Sequence, residues 1–222
     1  EALLAQSEWY KVLSDTADTA TQQQLALLAS DQGWYRMAID AATRAQAWDA
    51  LEVRFPTPYR SVFDASAAAQ QVPGTELMAI ARRESAFFPQ ARSPVGALGL
   101  MQVMPATGAQ VASSLGQRHS NADLLQVEHN VLLASTYYRQ LLDRFNGNRV
   151  LALTAYNAGP HRVDRWRNKP QDAVSVELWI ETIPYRETRN YVQAVLSYNV
   201  VFQHLMGDTV TLLSNAERQA VY

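Results

Sequence analysis

The chain has 222 residues, 48% of them hydrophobic, a formal net charge of −2 and no cysteine. That length supports one well-packed domain with a small appendage, the near-neutral charge excludes a general nucleic-acid binder, and no disulfide can form. No apolar run approaches the ~20 residues needed to cross a bilayer, so no transmembrane segment is expected. The first residue is Glu1 and no signal-like segment follows, so the chain reads as a processed protein or as a fragment of a longer one.

Residues 1–54 read as three helical pieces. Leu3, Leu4, Tyr10 and Leu13 mark the first, Gln22 to Ser30 forms the second, and Trp34 to Asp49 the third. The third carries Met37, Ala38, Ala41, Ala42, Ala45 and Trp48 on a stripe of mostly small residues suited to close helix stacking. Asp31-Gln32-Gly33 separates the last two pieces, since Gly commonly follows a helix end. Phe55-Pro56-Thr57-Pro58 is the clearest boundary, because each proline removes a donor and forces its predecessor out of helical geometry. It divides the chain into an N-terminal helical part, 1–56, and a main domain, 57–222.

Beyond that boundary the pattern stays helical. Val62 to Gln70 is one helix, Pro73-Gly74 breaks it, and Thr75 is placed to cap the next. Residues 92–104 are rich in turn formers and hold at most a small irregular β element. Pro105 suits the first position of a helix running to Leu115. Asn130 to Phe145 forms a long amphipathic helix closed by Asn146-Gly147-Asn148. Arg149 to Asn157 forms a short buried helix ended by Gly159-Pro160, and Glu187 to Met206 is the last long helix.

The chemistry concentrates around Glu84. Leu77, Ile80 and Ala81 precede it by seven, four and three residues, which places all four on one helical face. That face is the one such a helix buries. A carboxyl group there loses hydration, and its pKa rises. A carboxylic acid still protonated near pH 6–7 is what acid-catalysed cleavage of a glycosidic bond requires.

Ser93 lies in a loop that can fold back over the helix end, where its hydroxyl either orients the acid or a ligand or simply forms a Ser-Pro turn. Gly96 and Gly99 shape that loop. Gln102 offers a donor and an acceptor suited to a sugar acetamide or hydroxyl, while Met101 suits core filling. Tyr156 and Asn157 end a buried helix and can present a ring and an amide to a cleft, or Asn157 can serve as a helix-terminal residue. Glu181 is the best candidate for a second cleft carboxylate. Tyr185, Arg186 and Tyr191 are either wall contacts or packing.

His119, His129, His161 and His204 show no metal-ligand spacing such as His-Glu-x-x-His, so no metal or cofactor is expected. No Gly-x-Ser-x-Gly elbow is present.

Four motifs occur in order: Glu84-Ser85, Gly99-Leu100-Met101-Gln102-Val103-Met104-Pro105, Ala155-Tyr156-Asn157-Ala158-Gly159-Pro160, and Glu181 to Val192 with its Ile-Pro-Tyr and Glu-Thr-Arg-Asn-Tyr segments. In that order they resemble the soluble lytic transglycosylases of bacterial cell-wall metabolism, and the resemblance covers roughly residues 57–222. It implies a mainly α, goose-type-lysozyme-like catalytic domain, preceded by helices from the end of an α-superhelical region. It further implies a periplasmic protein that acts on peptidoglycan glycan strands between N-acetylmuramic acid and N-acetylglucosamine.

On that resemblance Glu84 is the sole acid/base, Met104 lies at the cleft floor and Glu181 positions substrate without acting as a nucleophile. With Ser93, Gly99, Gln102, Tyr156, Asn157, Ala158, Tyr185 and Tyr191, these complete the expected substrate-binding set. The product would carry a 1,6-anhydromuramoyl end. A hydrolytic muramidase of the same fold and a non-enzymatic wall-binding helical module are the alternatives, and a monomer is expected.

Overall fold

The computed structural model describes residues 2–167 and 174–222, with side chains described from residue 6 onward. Leu3 and Leu4, which marked the first helix, therefore lie outside the described side chains. The chain forms α1 (Ala2–Asp15), α2 (Thr19–Asp31), α3 (Tyr35–Arg44) and the single turn α4 (Leu51–Arg54). The main domain follows with α5 (Arg60–Gln70), α6 (Gly74–Ser85), α7 (Pro105–Ser114), a 3₁₀ turn at Asn121–Leu125, and α8 (Val127–Arg144). It closes with α9 (Arg149–Ala158), α10 (Pro160–Arg167), α11 (Val176–Thr182), α12 (Arg186–Met206) and α13 (Asn215–Gln219). Among the described residues the only β structure is a pair of isolated antiparallel bridges, Arg92 with Leu98 and Leu98 with Val103. They are the small irregular element expected over 92–104.

The N-terminal helices pack around their own cluster of Trp9, Leu13, Ala26, Ala29, Ala38, Ala41, Ala42 and Val53. Its small side chains let α2 and α3 lie close together. The third helix is shorter than its stripe suggested, ending at Arg44 rather than Asp49. Gln46 then takes a positive φ of 51°, and Trp48 sits outside the helix with half its surface exposed, beneath the Arg54 guanidinium. Phe55 joins the main core instead, its ring edge-on to Tyr198 and Phe202. Arg82 donates to the Arg54 carbonyl at 2.7 Å and ties α4 to α6.

Helix α6 is the hub of the main domain. Leu77, Met78, Ala79, Ile80 and Ala81 are all fully buried, so the helix is apolar all round over this stretch. It packs along α12 and against α5, and Tyr138 of α8 and Arg149 of α9 reach its first turn. Its N-terminus differs from expectation: Pro73 is the cap residue, and Thr75 lies buried inside the first turn. Glu76 there accepts a hydrogen bond from Tyr138 at 2.9 Å and pairs with Arg149, which also reaches Glu217 at 2.7 Å. This buried network anchors the C-terminal segment to the start of α6.

Candidate active site

Glu84 stands in the last turn of α6 and keeps part of its surface open to solvent while protein packs around the rest. Burial raises its pKa from the ordinary 4.5 to about 7. The position adds to this in the same direction, because the negative end of a helix dipole disfavours a carboxylate. Two groups act the other way: the Tyr191 hydroxyl and the Arg83 guanidinium both favour the charged form. Tyr191 is buried on α12, and its hydroxyl stands near Glu84 without meeting full hydrogen-bond geometry or finding another partner among the described residues. The Tyr156 hydroxyl also feels the Glu84 charge, and it donates to the Met101 carbonyl at 2.8 Å.

The chain leaves Glu84 through two consecutive non-glycine residues with positive φ, Ala86 at 53° and Phe87 at 62°. Such residues are uncommon and are held only where the surroundings insist on them. Here the Phe87 ring is locked edge-on between Phe63 and Phe202. Ser85 secures the reversal by donating to the Leu100 carbonyl at 2.6 Å and accepting from the Phe88 amide at 3.1 Å. The helix end is thereby stitched to the Gly-Leu-Met-Gln loop.

That loop is built around Gly99, whose φ is +80°. A β-carbon there would run into the Leu124 carbonyl oxygen and the Asn130 amide, so only glycine fits. Gln102 takes a positive φ of 51° and spends its side-chain amide on the Gly99 carbonyl at 2.8 Å and the Ala91 carbonyl at 3.3 Å. Its side-chain oxygen is what it has left for a ligand. Met101 is fully buried, and Met104 caps α7 with an exposed side chain. Ser93 accepts from the Ala97 amide at 2.9 Å, which closes its own loop rather than reaching Glu84.

Asn157 and Ala158 end α9. The Asn157 side-chain oxygen accepts from Thr188 on α12 at 2.7 Å, which leaves its NH₂ to face outward. The Ala158 carbonyl accepts from Arg162, whose guanidinium lies over the Tyr185 ring. Tyr185, half-exposed, packs edge-on against Trp166. These residues form an aromatic and cationic wall at the end of α9, built by a helix, α10, that the Gly159-Pro160 stop signal did not lead one to expect.

Glu181 is placed differently from its expected role. It is exposed, accepts from Gln193 at 2.6 Å and faces Arg189, on the flank of α12 turned away from Tyr191. The carboxylate that does act on Glu84 is Glu187, in the first turn of α12, whose charge raises the Glu84 pKa.

A family model described as the Transglycosylase SLT domain matches residues 61–178. Further models match on either side: the Soluble lytic murein transglycosylase L domain over 1–51 and the Soluble lytic transglycosylase helical domain over 182–210. The chain belongs to the soluble lytic transglycosylase family.

A curated relative, the soluble lytic murein transglycosylase of Escherichia coli K12, is 37% identical over 96% of this chain and 33% of its own length. The structure of an inactive glutamate-to-glutamine mutant of lytic transglycosylase Slt from Pseudomonas aeruginosa superposes with a TM-score of 0.94. It is 39% identical and covers all of this chain and 36% of its own. The 70-kDa soluble lytic transglycosylase in complex with bulgecin A gives a TM-score of 0.93 at 35% identity, over 98% of this chain and 35% of that one. The chain thus spans about a third of the length of the curated relatives it matches. The lysozyme-like, mainly α fold is that of the family.

Within this transglycosylase fold, sequence reasoning missed two residues. Asn130 is fully buried, accepts from the Met101 amide at 2.7 Å and donates to the Leu98 and Leu124 carbonyls. It holds the backbone of the Gly-Leu-Met-Gln loop from beneath, yet an Asn near a helix start reads as an ordinary cap. Glu187 reads as an ordinary first-turn acid, and only the packing of α12 along α6 brings it to Glu84.

Proposed function

We propose that this chain is the cutting part of a peptidoglycan lytic transglycosylase, cleaving the β-1,4 bond between N-acetylmuramic acid and N-acetylglucosamine. One observation carries the reading: Glu84, a largely buried carboxyl group whose pKa of about 7 leaves it substantially protonated at neutral pH. The inactive glutamate-to-glutamine mutant among the structural neighbours agrees with a one-glutamate chemistry.

Glu84 donates its proton to the glycosidic oxygen. The muramoyl 2-acetamido group assists departure of the N-acetylglucosamine, in the manner of substrate-assisted glycosidases. Glu84, now a carboxylate, takes the proton of the C6 hydroxyl on the same sugar. That oxygen closes on C1 and gives the 1,6-anhydromuramoyl end, with no water consumed. Capture by a group already held in place gains the high effective molarity of an intramolecular reaction.

Tyr191, Arg83 and Glu187 set the proton affinity of Glu84, and Asn157, Gln102, Met104 and Tyr156 line the ground on which the sugars lie. In this reading no cofactor takes part, and the protein works as a monomer in the periplasm. Among the described residues no helix is long and apolar enough to cross a membrane.

The test is mass spectrometry of fragments released from purified sacculi by the chain and by Glu84→Gln. Anhydromuramoyl ends from the chain and none from the folded variant support the proposal. Reducing muramic acid ends would make it a muramidase, and equal release by both would remove Glu84 from the chemistry.

A further inference from the structure

The loop between α7 and α8 gathers three residues that their spacing in the chain does not connect. His119 precedes the 3₁₀ turn, Asp123 lies in it, and His129 sits in the first turn of α8. One potential ligand atom from each lies within 4.8 Å of the others. The Nδ1 of His119 and the Nε2 of His129 are 3.0 Å apart, with the two rings nearly parallel. All three side chains keep partial access to solvent, so an ion can enter.

We infer that His119, Asp123 and His129 form a binding site for a divalent transition metal of the zinc class. Two imidazoles and a carboxylate make up a donor set that suits zinc, which accepts three protein ligands and a water. Tetrahedral ligation at ~2.0–2.1 Å separates neighbouring ligand atoms by roughly 3.3 Å. The two nitrogens already meet that spacing to within a few tenths of an ångström. The other nitrogen of His119 is buried against Gly108 without a partner, so Nδ1 is the atom that faces the cluster. Asp123 uses one oxygen, Oδ2, to cap the 3₁₀ turn through the Ser120 amide and hydroxyl. Its other oxygen takes no hydrogen bond among the described residues.

The position gives the site a consequence. Asn130 is the next residue after His129, and Leu124 the next after Asp123. The Asn130 side chain donates to the Leu124 carbonyl, and the two together form the floor on which Gly99 rests. A metal bridging Asp123 and His129 therefore clamps the base of the Gly-Leu-Met-Gln loop without touching the cleft. The inference stands independently of the glycan-cleaving reading.

The test is titration of the metal-free chain with zinc, followed by cobalt for its d–d absorption, with His129→Asn, His119→Gln and His204→Ala in parallel. Circular dichroism confirms that each variant is folded. The inference predicts one zinc per chain, a rise of a few degrees in melting temperature, and tetrahedral cobalt absorption. His204→Ala retains all three. His129→Asn and His119→Gln lose the one-to-one stoichiometry or weaken binding by about tenfold or more. No binding by the parent chain, or unchanged binding in both folded histidine variants, would reduce the cluster to a hydrogen-bonded histidine pair and overturn the inference.

Discussion

Gly99→Ala tests whether the catalytic loop rests on a backbone that only glycine can supply. The cost has three parts. A β-carbon at φ +80° brings left-handed strain of about 1–2 kcal/mol. The new methyl meets the Leu124 carbonyl oxygen far inside van der Waals contact, and that oxygen belongs to backbone that cannot swing aside. Such overpacking adds about 1–3 kcal/mol. Relief requires Asn130 to move, and the methyl would sit only 3.0 Å from its side-chain Cγ. That movement endangers the three buried hydrogen bonds of Asn130, each worth about 1 kcal/mol.

With all three bonds lost the total is about 5–8 kcal/mol, against a whole-domain stability of about 5–15 kcal/mol. Gly96 supplies the control, since it has φ +93° but no atom within 4 Å of a built β-carbon. Gly96→Ala therefore bears only the strain, about 1–2 kcal/mol. Urea denaturation of the two variants beside the parent should separate them by the overpacking and hydrogen-bond parts, about 4–6 kcal/mol. A gap below about 1 kcal/mol would refute the idea that Leu124 and Asn130 form a rigid floor under the loop.

Three further outcomes follow from the electrostatics. The acid must be protonated to act, so the alkaline limb of kcat/KM follows the Glu84 pKa. Tyr191→Phe removes a group that lowers this pKa and should move the limb upward, whereas Glu187→Gln removes a group that raises it and should move the limb downward. Shifts of the same sign would contradict the assignment of those two side chains. Glu84 also weakens the fold: its folded pKa of about 7 exceeds the unfolded 4.5, so stability falls as pH rises between those values, by roughly 3 kcal/mol once complete. Glu84→Gln should therefore be more stable than the parent by about 2–3 kcal/mol at pH 8, with the gap closing near pH 4.5; equal denaturation curves at pH 8 would contradict the burial of this charge. Arg149→Met leaves Glu76 and Glu217 buried without their cation and should cost about 3–5 kcal/mol at pH 7. Burial pushes Glu217 up, but the Arg149 and Ser214 hydrogen bonds bring it below the usual carboxylate range. Its contribution is thus lost as pH falls through that lowered value, and the variant's deficit should shrink in acid; a pH-independent deficit would contradict this.

The long apolar elements were legible because their residues repeat at helical spacing, and Glu84 was legible because it continues the Leu77–Ala81 pattern. What stayed hidden is short or polar. Helix α10, Pro160–Arg167, buries only Val163. Its opening Gly-Pro pair reads as a stop signal, although proline is equally at home at a helix start. Helices α11 and α13 are a turn or two long, held by Ser175 and Ser214 caps and by tertiary contacts rather than by any long pattern.

The sequence marks Glu181, just before Ile183-Pro184, as the second carboxylate, whereas the carboxylate that acts on Glu84 is Glu187. The choice depends on which flank of α12 faces α6, and that is fixed by Tyr191, Val192 and Val195 packing into the core. The His119–Asp123–His129 grouping was equally invisible, since the Ser120-x-x-Asp123 capping box marks the start of the 3₁₀ turn but not the approach of His119 to His129.

The account turns on one carboxyl group serving both proton transfers while a hydroxyl of the sugar, not water, captures C1. Digestion of sacculi in water enriched with heavy oxygen tests this most directly. The account predicts muramoyl ends that carry no label and are lighter by one water than a reducing end. One heavy oxygen at each newly formed end would show that water is the acceptor and would contradict it.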